Sequence, residues 1–261
     1  MEKYKEYKDS GVRWLGEIPS HWKVVRGKYL LKIQTDSSKR NNKIGLENIE
    51  GFTGKYIPTN TVFEGDGVDF DEGDIVYGKL RPYLCKVWLA EFAGNAVGDF
   101  YVYKVSEEYN QRYAKYIMLS HSFTDVCNAS TYGAKMPRVS YLFIQLLLMP
   151  VPPLAEQHSI VSYLDTKCTL LDTLLSNKEK EISLLQEMKQ RVIADAVTRG
   201  VNSNIKFKAT TIPWLPEIPE HWEMSKVSSH FRQRNVKVSD KEYTALSVSK
   251  MGVTPQLDKR V

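Results

Sequence analysis

Between Leu164 and Ala196 the apolar positions recur by steps of four and three: Leu164, Cys168, Leu171, Leu175, Lys178, Ile182, Leu185, Lys189, Val192 and Ala196. A seven-residue repeat of this kind lays one stripe along a helix and is the seam of a coiled coil. Lysine occupies seam positions 178 and 189, where it can set partner or register at a cost in stability, or lie outside the buried seam. Pro152 and Pro153 suit the entry to a helix, and Glu156 suits the positive end of its dipole. Arg199 and Gly200 supply a C-terminal cation and a stop. The pattern predicts a helix over about 154–199, about 65 to 70 Å long at ~1.5 Å per residue. Such a helix must run beside another long helix or bridge two bodies.

Upstream the period changes. From Gly45 to Val105 the segments GLENIEG, TGKYIP, GDIVYGKLRPYLCKVWL and NAVGDFYVYKV are short, rich in Val, Ile and Tyr, and broken by Gly, Asn and Asp, which predicts strands. TDSSKRNNK, before them, reads as a polar loop. YNQRYAKYIMLSHSFTDVCNAS carries Tyr113, Tyr116, Ile117 and Phe123 at helical spacing and predicts one helix. TYGAKMPRVS is a glycine turn, and YLFIQLLLMPVPPL reads as a short helix or strand with a proline-rich exit. The fold class expected is α+β: one mainly β domain with short helices over 1–152, the long helix over 153–200, and an incomplete second domain over 201–261.

The second domain is expected from a repeat. WLGEIPSHW at Trp14–Trp22 returns as WLPEIPEHW at Trp214–Trp222, 200 residues later (214 − 14). That period is too long for a solenoid and reads as a duplicated domain. LENIEGFTG at Leu46 and LSVSKMGVTP at Leu246 keep the offset, sharing a pattern more than an identity. The 47 residues after Trp214 (261 − 214) are too few to rebuild the first core.

Composition narrows the class. Hydrophobic residues make up 42% and charged residues 26%, ordinary for a globular protein. No stretch approaches the roughly 20 apolar residues of a membrane span. Cys85, Cys127 and Cys168 are too scattered for a disulfide framework or a metal-binding pair, so a cytoplasmic location is expected. The net charge of +5 permits a polyanionic partner without demanding one.

Catalytic signatures are absent: no phosphate-binding glycine loop, no dinucleotide fingerprint, no nucleophile elbow. His21 and His221 sit inside the repeated phrase, which favours packing or hydrogen bonding over catalysis. The acidic run Glu64–Asp74 departs from a calcium loop, because the twelfth position from Asp69 is Leu80 where a bidentate Glu is needed. It reads as a solvated turn. Two segments interleave cations with aromatics or turn residues. Tyr77–Tyr83, continuing to Lys86 and Trp88, presents Lys79, Arg81 and Tyr83, and Tyr132–Arg138 presents Lys135 and Arg138. Lysine and arginine neutralise phosphates, arginine can read guanine edges, and tyrosine can stack. A strand or turn with solvated cations is the plainer reading of each segment alone.

In this order, WLGEIPSHW, GDIVYGKLRPYL, GAKMPRVS, PVPPLAEQHSIVSYLD, the heptad helix and WLPEIPEHW, the chain resembles a specificity subunit of a type I DNA restriction-modification system, over essentially its whole length. The resemblance implies a non-catalytic reader of double-stranded DNA, with two target recognition domains each followed by a long helix, the two helices packed antiparallel. It implies methyltransferase subunits as partners, carrying S-adenosylmethionine and the chemistry, and a motor-nuclease subunit. No cofactor is expected in this chain. Lys79, Arg81, Tyr83, Lys135 and Arg138 are the candidate DNA-binding residues. The chain departs from the family pattern in lacking a finished second domain and a second long helix. It is expected to be a fragment, the product of an interrupted gene, or a half-subunit that pairs with a second copy through helix 154–199. The competing reading is a helical interaction scaffold of the same assembly that does not bind DNA itself.

Overall fold

A computed structural model describes residues 4–38, 40–202, 204–234, 236, 246–250 and 252–255. Two compact units divide inside the long helix, one ending at Asn177 and the other beginning at Lys178. The first unit holds, in order, β1 (Tyr7–Asp9), β2 (Glu17–Pro19), β3 (Lys23–Arg26), α1 (Gly27–Leu30), β4 (Leu31–Gln34), β5 (Lys43–Ile44), β6 (Gly67–Phe70), β7 (Ile75–Gly78), β8 (Val87–Leu89), β9 (Gly94–Val97) and β10 (Phe100–Val105). Then come α2 (Gln111–Leu119), α3 (His121–Ala129), α4 (Tyr141–Leu146), β11 (Leu148–Val151) and the long α5 (Leu154–Arg199), which continues into the second unit. The second unit adds β12 (Phe207–Ile212), β13 (Leu215–Pro219), α6 (Val227–His230), β14 (Leu246–Ser249) and β15 (Gly252–Pro255).

The centre of the first unit is a four-stranded antiparallel sheet in the order β4-β10-β7-β8. Side chains alternate across a strand, so a strand that is apolar throughout buries both faces. Ile75, Tyr77 and Tyr103 face a core shared with Tyr113, Met118, Phe123 and Ile144 of α2, α3 and α4. Val76, Trp88, Phe100 and Val102 face a second core with Ile44, Phe70 and Ala96 of the small sheet β5-β9-β6. Helices cover one face of the central sheet and a second sheet covers the other, which is the expected α+β class.

Three expectations change. The single helix expected over 109–130 is two, because Ser120 adopts an extended backbone with ψ 145°. Its hydroxyl donates to the Ile117 carbonyl at 2.7 Å and accepts from the Phe123 amide at 3.3 Å, so one serine ends α2 and caps α3. The acidic run is not a solvated turn throughout, since part of it is β6. Asp69 accepts from the Asn95 amide at 2.9 Å, and Asp71 pairs with Arg40 at 2.9 Å and Lys104 at 3.2 Å. The segment YLFIQLLLMPV is both helix and strand: α4 starts at a Ser140 cap, and β11 then pairs antiparallel with β3.

The repeat builds the same object twice. Tyr7 pairs with Pro19, Lys8 with Ile18 and Asp9 with Glu17 in the first copy; Phe207 pairs with Pro219, Lys208 with Ile218 and Ala209 with Glu217 in the second. Ile18 and Ile218 are both buried. The Trp22 and Trp222 amides donate to the Pro19 and Pro219 carbonyls at 3.0 and 2.9 Å. The correspondence continues to the single helical turns α1 and α6, each preceded by a basic residue, Arg26 and Lys226. Leu246–Ser249 lies within the later echo of the repeat and forms a hairpin with β15; Met251 of that stretch is outside the described residues.

The first turns of α5 are tied to the first unit by polar contacts. Gln157 is fully buried; its amide donates to the Pro152 and Glu108 carbonyls at 2.9 and 3.2 Å, and its oxygen accepts from the Asn110 amide at 2.7 Å. Asp165 accepts from Arg112 at 2.7 Å and from the Tyr116 hydroxyl at 2.6 Å, and Asp172 pairs with Lys55 at 2.7 Å. Further along, Leu171, Leu175, Ile182, Leu185 and Val192 of the seam are exposed, as are Leu174, Leu184 and Met188 beside it. Lys178 pairs with Glu181 at 2.7 Å on the helix's own surface. Among the described residues no helix is long and apolar enough to cross a membrane.

Candidate nucleic-acid interface

The site is built where β7 leaves the sheet. The strand ends at Gly78, so Lys79, Arg81 and Tyr83 are not strand residues as the sequence pattern suggests; they lie in the turn beyond it. The Lys79 amide donates to the Asp99 carbonyl at 2.9 Å, at the start of the neighbouring β10. The Arg81 amide donates to the Pro137 carbonyl at 2.7 Å and the Val139 amide to the Lys79 carbonyl at 3.2 Å, while Leu80 and Arg138 form an isolated antiparallel bridge. Backbone hydrogen bonds thus join the two cationic segments that the sequence holds far apart.

The turn is conformationally costly. Arg81 (φ 50°, ψ 65°) and Cys85 (φ 46°, ψ 54°) are left-handed and bracket the 3-10 turn Pro82–Leu84. Phe52, the third non-glycine residue with positive φ among the described residues, donates its amide to the Cys85 carbonyl at 2.9 Å. Each such residue costs on the order of 1 to 3 kcal/mol and persists only where its surroundings hold it. Here buried Pro82 and buried Cys85 anchor the turn, and the Leu84 amide closes it on the Arg81 carbonyl at 2.9 Å.

The cations divide by partner. Arg138 donates from Nε and Nη2 to the two carboxylate oxygens of Asp99 at 2.9 and 2.8 Å. These hydrogen bonds hold the Asp99 carboxyl below its ordinary range, although burial opposes them. Lys79 Nζ shares Asp99 at 3.9 Å and lies 5.2 Å from the centre of the Tyr101 ring. The Tyr101 hydroxyl donates to the Val139 carbonyl at 3.1 Å. Arg81 and Lys135 are exposed, and among the described residues neither side chain has a carboxylate partner. Tyr83, Tyr132 and Met136 add exposed apolar surface to the same two loops.

Lys86 and Trp88 leave the candidate surface. Trp88 is fully buried, and Lys86 Nζ donates to the Leu46 and Ile49 carbonyls at 2.7 and 2.8 Å, where burial lowers its pKa. Asp99 and Tyr101 lie outside both cationic segments of the sequence, and Tyr132 opens the second without being one of its candidate residues. The Gly98-Asp99 turn, with Gly98 at φ 97°, marks a tight reversal in NAVGDFY, but nothing local says that its carboxylate faces Arg138.

No family model matches the chain. It is 29% identical over 219 residues to the Type I restriction enzyme EcoDI specificity subunit of Escherichia coli, covering 79% of this chain and 46% of that protein. It is 25% identical over 250 residues to the MjaVIII specificity subunit of Methanocaldococcus jannaschii, covering 87% of this chain and 53% of that one. Its relatives are specificity subunits of type I restriction enzymes. The chain spans about half the length of these relatives. Solved structures share the fold. A chain from a type I restriction-modification assembly matches with a TM-score of 0.53 and 16% identity, covering 69% of this chain and 46% of that chain. The HsdS subunit from Thermoanaerobacter tengcongensis matches at 0.50 and 18%, covering 75% and 53%.

Proposed function

We propose that this chain is a sequence-specific reader of double-stranded DNA that directs methyltransferase subunits, and with them a motor-nuclease subunit, to a split target. One observation carries the reading. The loops 79–85 and 132–138 are joined by backbone hydrogen bonds at one end of a rigid sheet, and together they present Arg81, Lys135, Tyr83 and Tyr132 to solvent. Positive, aromatic loops on a rigid scaffold suit a polyanion with stacked bases. The chain supplies recognition only; S-adenosylmethionine and the methyl transfer belong to the partner.

Tied to the first unit at its start, α5 presents an apolar seam further on that takes a second long helix. In the proposed assembly a second copy of this chain supplies it, antiparallel, so two readers face two half-sites. Protein symmetry then imposes symmetry on the target.

The test is to sequence methylated sites in cells carrying this chain and its methyltransferase partner. A palindromic split motif supports two copies, and an asymmetric one assigns the second reader to another chain. No motif, together with no mobility shift of any duplex in the partner's presence, favours the scaffold reading.

A further inference from the structure

We propose that the candidate cations divide by role: Arg81 reads a guanine, Lys135 contacts a phosphate, and Arg138 positions the two loops without touching DNA. This rests on the DNA-recognition reading above. Reading a base needs a planar donor fork whose origin is fixed, because guanine offers two acceptors at set positions in the major groove. Arg81 meets that need. Its amide is held by Pro137 at 2.7 Å, its carbonyl by Leu84 at 2.9 Å, and its left-handed backbone leads directly into buried Pro82, while its side chain is exposed. A site that keeps arginine in a conformation favouring glycine keeps it for the side chain.

Arg138 has the opposite environment. Its bidentate fork is already filled by Asp99 at 2.9 and 2.8 Å, and Lys79 shares the same carboxylate. Turning that fork to a base would leave Asp99 with Lys79 at 3.9 Å as its nearest cation. With its backbone bridged to both Leu80 and Tyr132, Arg138 joins the two loops. Lys135 is exposed in the 132–138 loop and carries a flexible point charge, suited to phosphate and not to a base edge.

The experiment selects binding sites from a random duplex library, using the full chain in complex with its methyltransferase partner. The variants are Arg81→Gly, Lys135→Ala and Arg138→Ala. Arg81→Gly is the fold-safe probe, because glycine adopts φ near 50° without strain. The wild type should enrich a motif, and Arg81→Gly should lose preference at one G·C position by about 5- to 150-fold while other positions persist. Lys135→Ala should weaken all sequences alike and lower the salt slope by about one unit. Arg138→Ala should leave the salt slope unchanged. An Arg81→Gly motif identical to wild type overturns the assignment of Arg81. A slope lowered by one unit in Arg138→Ala overturns that of Arg138. A wild-type complex that enriches nothing overturns the recognition reading, and this inference with it.

Discussion

The indole Nε1 of Trp22 donates a hydrogen bond to Glu156, 3.0 Å away and 134 residues further along the chain. His21 Nε2 reaches the other carboxylate oxygen at 2.8 Å, and the Tyr4 hydroxyl donates to the first. Burial alone would raise the Glu156 carboxyl, but these hydrogen bonds outweigh it and hold it below its ordinary range. The repeated phrase therefore has a mechanical role in its first copy. Ile18 and Pro19 form the buried end of a small hairpin, and the two residues that close the phrase grip the first turn of α5.

Removing that grip should loosen the helix start. We expect Glu156→Ala to destabilise the first unit by about 1 to 3 kcal/mol, the cost of orphaning partly buried donors, and Glu156→Gln to cost less because it still accepts from Trp22. Denaturant melts give the magnitude, and hydrogen exchange at 154–161 gives the place. Unchanged protection there in Glu156→Ala would show that Gln157 alone holds the helix.

Acid should act on the loop clamp. The Asp99 carboxyl is depressed by hydrogen bonds from Arg138, so its contribution is complete above the ordinary carboxylate pKa, about 4, and is lost as pH falls through the lower folded value. Asp99→Asn has no such titration. The stability gap between wild type and Asp99→Asn should be constant from about pH 7 to 5 and narrow below about pH 4. Urea melts across that range decide it; a gap unchanged into strong acid would mean that the pair contributes packing and not charge.

Local patterns were legible and distant pairings were not. The heptad lies within one element, so its period, with the prolines before it and Arg199-Gly200 after it, located α5 at Leu154–Arg199. The strand segments showed themselves through β-branched and aromatic runs, although β7 ends before Lys79 and carries none of the candidate cations. Ser120 reads as an ordinary helix residue in a periodic segment; its break depends on one hydroxyl choosing the local backbone. The cationic segments were visible as composition, while Asp99, which sorts them into engaged and free, lies 39 residues from Arg138 in sequence. Gln157 is a polar residue that no sequence pattern marks, yet it is fully buried, its amide bonded to the nearby Pro152 carbonyl and to two backbone groups of the distant 108–110 segment.

The three thiols should react unequally. Burial pushes Cys127 up to about 12 and raises Cys85, whereas Cys168 is exposed on α5. Thiolate is the reactive form, so brief alkylation near pH 8 should modify Cys168 alone, with the others reacting only on denaturation. Peptide mass mapping checks this. Rapid labelling of Cys127 in the native protein would contradict the packing of α3 against the central sheet.

Cys168 also reports on the seam, whose continuation through Leu171, Leu175, Ile182 and Leu185 is the basis of the last expectation. These side chains are exposed, and an apolar stripe of this length on a helix is a contact surface in waiting. Leu174, Leu184 and Met188 widen it beyond a strict two-position seam, which suits contact with more than one neighbouring helix. Ile182→Glu with Leu185→Glu puts two carboxylates in that stripe without touching the core of the first unit. We expect the wild type to scatter light as a dimer at micromolar concentration, or to become one component of a larger particle when the methyltransferase partner is added. The double variant should remain monomeric, with the melt of the first unit unchanged. Protection of Cys168 from alkylation should appear with association and disappear in the variant. A wild-type chain that stays monomeric rules out pairing with a second copy. If the partner then binds both forms equally, the seam has no part in assembly.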